Sequence, residues 1–261
     1  MKIATWNVNS LNVRRDHLIR WLAEFDPDVV LLQELKGTLE KFPMKEVNAA
    51  GYQAAVVGQK TYNGVAILSK TPIDVTATRL PGDDDDDQAR YVEAIVPTSK
   101  GLAVRVASIY LPNGNPVPGD KYDYKLRWMA RLYERAKTLL KTEQHFVLGG
   151  DYNVIPEPED AHAPQKWAQD ALFLPQSRDA WRKIVHLGLS DAYRAYHSGA
   201  GQYSWWDYRA GAWDRDEGCR IDHLLLSPQA ADTLVASGID KTPRGWEKPS
   251  DHTPVWCELD A

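Results

Sequence analysis

Apolar runs in this chain end repeatedly on side chains that carry oxygen. Ile3-Ala4-Thr5-Trp6 leads into Asn7-Val8-Asn9, and Val29-Val30-Leu31-Leu32 into Gln33-Glu34. Ala107-Ser108-Ile109 leads into Tyr110-Leu111-Pro112-Asn113, and Phe146-Val147-Leu148-Gly149-Gly150 into Asp151-Tyr152-Asn153. Ile221 is followed by Asp222-His223, and Ser250-Asp251-His252 directly precedes the last apolar run. A carboxylate at a buried strand end is costly unless something compensates its charge. Taken singly, Asn7 reads as a helix cap and Asp151 as a turn residue. Acids, amides and a histidine placed alike on strands from every part of the chain point instead to one convergent site.

Carboxylate and amide oxygens, with no cysteine and little histidine among them, suit a hard cation, Mg²⁺ or Mn²⁺, better than zinc. Glu34 is the best single ligand candidate, because Mg²⁺ takes few carboxylates and completes its shell with water and phosphate oxygens. Asp151 has another candidate duty: beside a metal-bound phosphate, a carboxylate can orient and deprotonate an attacking water. Asp222 and His252 suit an Asp–His pair, the carboxylate fixing the imidazole tautomer and supporting its positive charge. The spacing leaves open which carboxylate is base and which is ligand.

The elements that must position these residues follow from the hydrophobic pattern. Strands are expected at Lys2–Asn7, Val29–Gln33, Gln53–Val57, Gly64–Leu68, Tyr91–Val96, Leu102–Leu111, Phe146–Leu148, Ile221–Leu226 and Pro254–Leu259. Ser10 to Phe25 reads as a helix with Leu11, Leu18, Ile19 and Leu22 on one face, ended by Pro27. Tyr122 to Thr142 reads as a longer one with Leu126, Met129, Leu132, Leu139 and Leu140 inward, and Ser177 to Leu187 as a third. Gaps such as Val96 to Leu102 are too short for a helical crossover, so the sheets must be mixed or antiparallel in an α/β sandwich. No linker-like stretch divides residues 1–261, and one domain is expected.

Composition sets the frame. The chain has 261 residues, 43% of them hydrophobic, which is ample for a sizeable core. Its formal net charge is −5, and Asp83 to Asp87, expected in a solvated loop, supply as many negative charges as that total. Bulk basicity is therefore excluded as a means of binding polyanions, while a local basic face is not. Cys219 and Cys257 are the only cysteines, too few for a disulfide framework, so a reducing compartment is expected. No apolar run approaches a membrane span and the chain opens straight into a strand pattern; no signal peptide and a cytoplasmic location are expected.

With its blocks assembled, the chain closely resembles the exonuclease III family of abasic-site (AP) endonucleases, within the endonuclease/exonuclease/phosphatase superfamily. The resemblance runs through Thr5-Trp6-Asn7-Val8-Asn9-Ser10, Leu32-Gln33-Glu34-Leu35-Lys36, Asn63-Gly64-Val65-Ala66-Ile67-Leu68-Ser69 and Tyr110-Leu111-Pro112-Asn113-Gly114. It continues through Gly150-Asp151-Tyr152-Asn153, Trp205-Trp206-Asp207-Tyr208-Arg209, Arg220-Ile221-Asp222-His223 and Lys248-Pro249-Ser250-Asp251-His252. Each block is weak alone; eight in order are specific.

The resemblance implies a DNase I-like fold: a four-layer αββα sandwich, two mixed β-sheets flanked by helices, with the site in a cleft between sheet ends. It implies a Mg²⁺-dependent nuclease of base excision repair, with Mn²⁺ as an alternative ion; a monomer is expected. Such an enzyme hydrolyses the phosphodiester 5′ to an abasic nucleotide in duplex DNA, removes 3′ blocking groups and degrades DNA from 3′ ends. Glu34 is then the metal ligand, helped by Asn7 and Asp251, with Asp151, Asn153 and His252 also bordering the ion. Asp151 handles the nucleophilic water or the leaving group, Asn153 and Tyr110 hold the scissile phosphate, and His252 with Asp222 stabilises its charge. Asn9 stands where some members carry Asp, which suits a single-metal site. Glu34, Asp151, Asn153, Asp222 and His252 are all present, against the fate of a sub-lineage that lost catalysis and became regulatory.

Tyr203-Ser204-Trp205-Trp206-Asp207-Tyr208-Arg209 holds four aromatics in seven residues, followed by Trp213. If extended, positions 203, 205 and 207 share a face; aromatic packing under a loop is the alternative. By resemblance Trp205, with Ile221 and Cys219, lines a pocket for the flipped-out sugar. DNA-backbone contact is expected from Asn113 in the loop and from Lys121, Lys125 and Arg127 at the start of the long helix, with Arg90, Arg209 and Arg220 as further candidates; a solvated helix face is the alternative for such lysines. Two other functions fit parts of the pattern: a phosphatase on phosphoinositides or sphingomyelin, and a nucleic-acid-binding regulator without catalysis.

Overall fold

The run Val29–Gln33 is buried along its whole length. A strand covered on both faces reads as continuously apolar instead of alternating, which is why this segment does. The computed structural model, which describes residues 1–261, places it inside a six-stranded sheet. That sheet comprises Lys2–Asn7 (β1), Val29–Gln33 (β2), Gln53–Val57 (β3), Val65–Ser69 (β4), Leu234–Ile239 (β13) and Val255–Leu259 (β14), ordered β13-β14-β1-β2-β4-β3. Only β1 and β2 are parallel neighbours.

A second sheet comprises Asp74–Ala77 (β5), Tyr91–Pro97 (β6), Ala103–Tyr110 (β7), Phe146–Asp151 (β8), Ser190–Asp191 (β9) and Asp222–Leu226 (β12), ordered β5-β6-β7-β8-β12-β9 with β7 and β8 parallel. Trp205–Trp206 (β10) and Gly218–Cys219 (β11) make a separate two-stranded ribbon. Leu11–Phe25 (α1) and Met44–Ala49 (α2) cover the first sheet; Asp120–Leu140 (α3) and Pro175–Val185 (α4) cover the second. Ala192–Tyr196 (α5) and Pro228–Asp232 (α6) are short connections.

Strand alternation sorts the apolar side chains into three cores. Ile3, Val29, Leu31 and Ile67 meet Val92, Val106, Val147 and Leu224 between the sheets. One residue on, Ala4, Trp6, Val30 and Leu32 turn outward to Leu18, Trp21 and Leu22 of α1. Ile109, Phe146 and Leu148 turn outward to Trp128, Met129 and Leu132 of α3 and Trp181 of α4. The result is the expected four-layer αββα sandwich. No helix is long and apolar enough to cross a membrane.

The topology gathers the strand ends that matter. Register pairs Tyr110 with Asp151 and Asp151 with Asp222, so β7, β8 and β12 set these three side by side. Gly150 allows the tight β7–β8 approach, since a Cβ there would lie 1.9 Å from the Ile109 carbonyl oxygen. In the other sheet Asn7 pairs with Gln33, just before Glu34, and β14 runs antiparallel to β1, which brings His252 to the same end.

Several boundaries and elements differ from the sequence reading. β8 runs on to Asp151, β4 begins at Val65 and ends at Ser69, and α3 spans Asp120–Leu140. The face α3 buries is Tyr122, Lys125, Trp128, Met129, Leu132, Ala136 and Leu139, while Leu126 and Leu140 are half-buried. The sequence reading omits β5, β9, β10, β11, β13, α2, α5 and α6. These are short, or lie at a sheet edge with one side wet, where no sustained period can form. Asp83, Asp84, Asp85 and Asp87 are exposed as expected, but Asp86 accepts hydrogen bonds from Arg131 at 2.7 Å and from the Tyr124 hydroxyl.

Candidate active site

Asn7, fully buried at the end of β1, joins the two carboxylates from different sheets. Its Nδ2 donates to Glu34 Oε1 at 2.8 Å and to Asp151 Oδ2 at 2.9 Å, and its Oδ1 accepts from the Asn9 backbone N–H at 2.9 Å. An amide that uses both protons in this way holds two anions a fixed distance apart. Glu34 takes a left-handed backbone (φ 53°), which turns its side chain off β2 into the cleft. Lys36 Nζ lies 2.8 Å from Glu34 Oε2 and donates to Asn9 Oδ1 at 2.5 Å.

Asp151, 1% exposed, faces His252, 4% exposed, across 3.8 Å from Oδ2 to Nε2. The other ring nitrogen of His252, Nδ1, is 2.9 Å from Asp222 Oδ2. Asp222 is held in turn by Ser204, whose Oγ donates to the same Oδ2 at 2.6 Å and accepts from the Ile221 and Asp222 backbone N–H groups at 3.1 Å. Burial alone would push the His252 imidazole down, but Asp222 and Asp151 outweigh it and lift it to about 10. Burial also raises the Asp151 carboxyl against the lowering effect of His252. The outcome is an imidazolium beside a carboxyl ready to take a proton near neutrality.

On the second sheet's side, Asn153 follows Asp151 with a left-handed backbone (φ 47°), and its N–H donates to Asp151 Oδ1 at 2.9 Å. Asn113 Nδ2 donates to Asn153 Oδ1 at 2.9 Å, so the two amides form one unit beside Asp151. Tyr110 is half-buried against Glu34 and Asp151; burial first, then those two charges, raises its phenol. The Arg90 guanidinium stacks 4.7 Å over its ring.

The segment 250–253 is pinned to the aromatic ribbon. Trp205 bridges His252 in a short antiparallel contact, and its Nε1 donates to Asp251 Oδ2 at 3.0 Å. Asn9 Nδ2 donates to Asp251 Oδ1 at 2.8 Å. Arg14, where α1 departs from helical geometry, donates to the carbonyls of Asn9 and of Pro249 and to the Tyr208 hydroxyl.

The structure thus gathers Asn7, Glu34, Tyr110, Asn113, Asp151, Asn153, Asp222, Asp251 and His252 at one end of the sandwich. Some candidates for DNA contact fall elsewhere. Lys125 is fully buried and donates to two backbone carbonyls, so it cannot meet a phosphate at the surface. Arg220 is 1% exposed and bonded to Asp160 and Asp191 at 2.7 Å, a structural ion pair. Cys219 and Ile221 are sealed beneath Trp205 and Trp167, in a cluster with Ile155 and Leu172. They form the floor under Trp205, and the open cavity of about 300 Å³ beside it is walled by Trp167, Lys166, Asp207 and Arg209. Lys121, Arg127 and Arg209 are exposed, Arg209 pairing with Asp207 at 2.7 Å, and Arg90 is half-buried. Sequence reasoning assigned no role to Ser204, Arg14, Lys36 or Trp167. Lone polar or aromatic residues of this kind carry no spacing signal; only the fold shows what they touch.

Glu34, Asp151 and His252 offer ligand atoms within 4.8 Å of one another, the one such acidic or histidine cluster in the chain. The two carboxylates are the oxygen donors a hard divalent cation prefers, whereas Asn7 turns its NH₂ toward them and its Oδ1 toward the Asn9 N–H, so it positions the pair, and the Asn153 Oδ1 is taken by Asn113. His252 fits a cation's shell less well, because an imidazole held protonated is a donor and not a ligand.

Residues 4–252 match the Endonuclease/Exonuclease/phosphatase family. Over 267 aligned residues the chain is 33% identical to exodeoxyribonuclease III of Haemophilus influenzae, covering 99% of this chain and all of that one. An AP endonuclease from Archaeoglobus fulgidus superposes over all of both chains with a TM-score of 0.93 and 37% identity. A Neisseria 3′ phosphatase, solved bound to a product DNA hairpin, also superposes over all of both chains, with a TM-score of 0.93 and 40% identity.

Proposed function

The chain belongs to the endonuclease/exonuclease/phosphatase family and to the exonuclease III and AP endonuclease group of hydrolases within it; on that footing we propose that it is a DNA-repair nuclease, and we assign roles to its residues. Its substrate is duplex DNA, cut at the phosphodiester 5′ to abasic sites and, as a 3′-exonuclease and 3′-phosphodiesterase, at 3′ ends. Its cofactor is Mg²⁺, with Mn²⁺ able to substitute. Two unpaired, buried cysteines support the reading of a reducing, cytoplasmic setting, and the enzyme is taken to act as a monomer.

Glu34 and Asp151, set in place by Asn7 and with Asp251 supporting from the rim through Asn9, would hold the cation. Bound there, the ion would polarise a phosphate oxygen and draw off charge as the bond breaks. Asp151 takes the proton of the attacking water, a role its raised carboxyl suits. The water oxygen bonds to phosphorus, the P–O3′ bond breaks, and the departing O3′ takes a proton from solvent, giving a 3′-hydroxyl and a 5′-phosphate; Asp151 then returns its proton to solvent. His252, its charge sustained by Asp222, donates from Nε2 to a phosphate oxygen. Asn113, Asn153 and Tyr110 orient the phosphate. Lys121, Arg127 and Arg209, exposed on the surrounding surface, meet the backbone of the duplex.

The observation that carries this reading is Asn7 tying Glu34 to Asp151 while Asp151 faces the Asp222–His252 pair. The test is a labelled duplex with a single abasic analogue, and in parallel one with a 3′-phosphate. Incision 5′ to the analogue and release of the 3′-phosphate, both in Mg²⁺, are expected. Binding without cleavage of either duplex would refute the reading and favour a regulator.

A further inference from the structure

Lys125 is wholly buried on α3, a helix otherwise committed to packing on the second sheet. A buried ammonium costs several kcal/mol unless hydrogen bonds replace its water. Here Nζ donates to the carbonyl oxygens of Asn113 at 3.0 Å and of Asn153 at 2.5 Å. Both acceptors are backbone atoms, from segments 40 residues apart in the chain. Their side chains meet each other at 2.9 Å, and Asn153 also donates to the Leu111 carbonyl and, from its backbone, to Asp151. The path of the lysine stem is built in: Gly114 has φ 93°, and a Cβ there would lie 2.7 Å from Lys125 Cδ.

We propose that Lys125 is a positioning residue: its Nζ clamps the loops after β7 and β8 together, and so sets the Asn113–Asn153 amide pair at the distance from Asp151 that phosphate binding requires. The proposal rests on the assignment of those amides to the phosphate. Burial lowers the Lys125 amine to about 7, and a methionine of similar length would fill the space at lower desolvation cost; what Nζ adds, charged or neutral, is two hydrogen bonds to the backbone that carries the amides. Misplacing a reacting group by about 1 Å costs on the order of 10²-fold in rate, so loss of this clamp should be read in turnover more than in binding.

The test compares Lys125→Met, Lys125→Arg and wild type on the abasic duplex, each confirmed folded by its melting transition. Lys125→Met should lose about 10²-fold in kcat with KM changed by about threefold or less, and Lys125→Arg should recover to within about tenfold of wild type. Combining Lys125→Met with Asn113→Ala should cost little more than Asn113→Ala alone, because both act through one unit. The ¹⁵N side-chain amide signals of Asn113 and Asn153 should shift in Lys125→Met. A folded Met variant with wild-type kcat and unmoved amide signals, or losses that multiply in the double variant, would overturn the proposal. Should the Met variant not fold, Lys125→Gln is judged by the same criteria. If wild type cleaves no DNA the functional reading falls, and the amide signals alone then decide whether Lys125 sets the pair.

Discussion

Asp151 Oδ2 stands 3.8 Å from His252 Nε2 and, at the same time, accepts a 2.9 Å hydrogen bond from Asn7. One oxygen therefore faces both a cationic ring and the amide that leads to Glu34. Replacing Asp151 by Asn keeps the shape and removes the proton acceptor. We expect kcat to fall by about 10³-fold or more, with DNA affinity changed by about threefold or less. Single-turnover cleavage and a binding titration in the same buffer check this; near-wild-type turnover would remove Asp151 from the chemistry.

Asp222 sustains the charge on His252, and this has a signed consequence for pH. An imidazole raised from an ordinary value near ~6.5 to about 10 on folding stabilises the native state fully below the unfolded value. That contribution is lost as pH rises through about 10. The raised Asp151 carboxyl acts in the same direction, costing stability as pH climbs out of the ordinary carboxylate range. Without metal, Tm should therefore fall from mildly acidic to alkaline pH, and a divalent cation should raise Tm more at the alkaline end. In Asp222→Asn the His252-dependent part of the fall should move to lower pH, as should the alkaline limb of kcat/KM. Calorimetry in chelator, with a parallel rate profile, measures both; unshifted curves would break the link between the two residues.

Glu34 is half-buried, unlike the sealed Asp151 and Asp222, and it is fixed by Asn7 and Lys36. Glu34→Ala removes one of the few charged ligands a Mg²⁺ site has. The Mg²⁺ concentration for half-maximal cleavage should rise about tenfold or more. An unchanged metal titration would put the ion elsewhere.

A stability prediction separates the scaffold from the site. Glu93 on β6 is fully buried and accepts from Arg135 at 2.6 and 2.9 Å, Arg105 at 2.6 Å, Thr76 at 2.7 Å and Tyr91 at 2.6 Å. Burial pushes its carboxyl up, but the Arg135, Tyr91 and Thr76 hydrogen bonds prevail and hold it at about 2. Glu93→Ala strands two guanidinium groups, which should cost about 3–5 kcal/mol and lower Tm by roughly 10 °C, with turnover per folded molecule unchanged. In wild type this stabilisation is present above the ordinary glutamate range and lost as pH falls through about 2. Urea denaturation of both proteins tests it; equal midpoints would show the network to be idle.

The sequence made the layers legible because strands covered on both faces, such as β2 and β8, must be continuously apolar. It made the convergence of Glu34, Asp151 and Asp222 legible because each sits where a buried chain has no structural use for a charge. Lys125 shows the limit. At the start of a helix, lysines at positions 121 and 125 look equivalent because i and i+4 share a face, yet Lys121 in the first turn is solvated while Lys125, one turn further in, is sealed under the loop at Gly114. Cys219 and Ile221 failed for a related reason: residues in contact with Trp205 from below cannot be told by spacing from residues that share its open face. Edge strands such as β13, half wet and interrupted by Gly238, carry too little period to be seen.

On the proposed reading, Glu34, Asp151 and the Asp222–His252 pair work on one phosphate with a bound divalent cation. Cleavage of a 5′-labelled duplex carrying a single abasic analogue, sized on a denaturing gel with Mg²⁺ and with excess chelator, tests it most directly. A product ending 5′ to the analogue, accompanied by shorter fragments resected from its 3′ end, should form in Mg²⁺ and be abolished by chelator. The same product formed undiminished in excess chelator would contradict this reading.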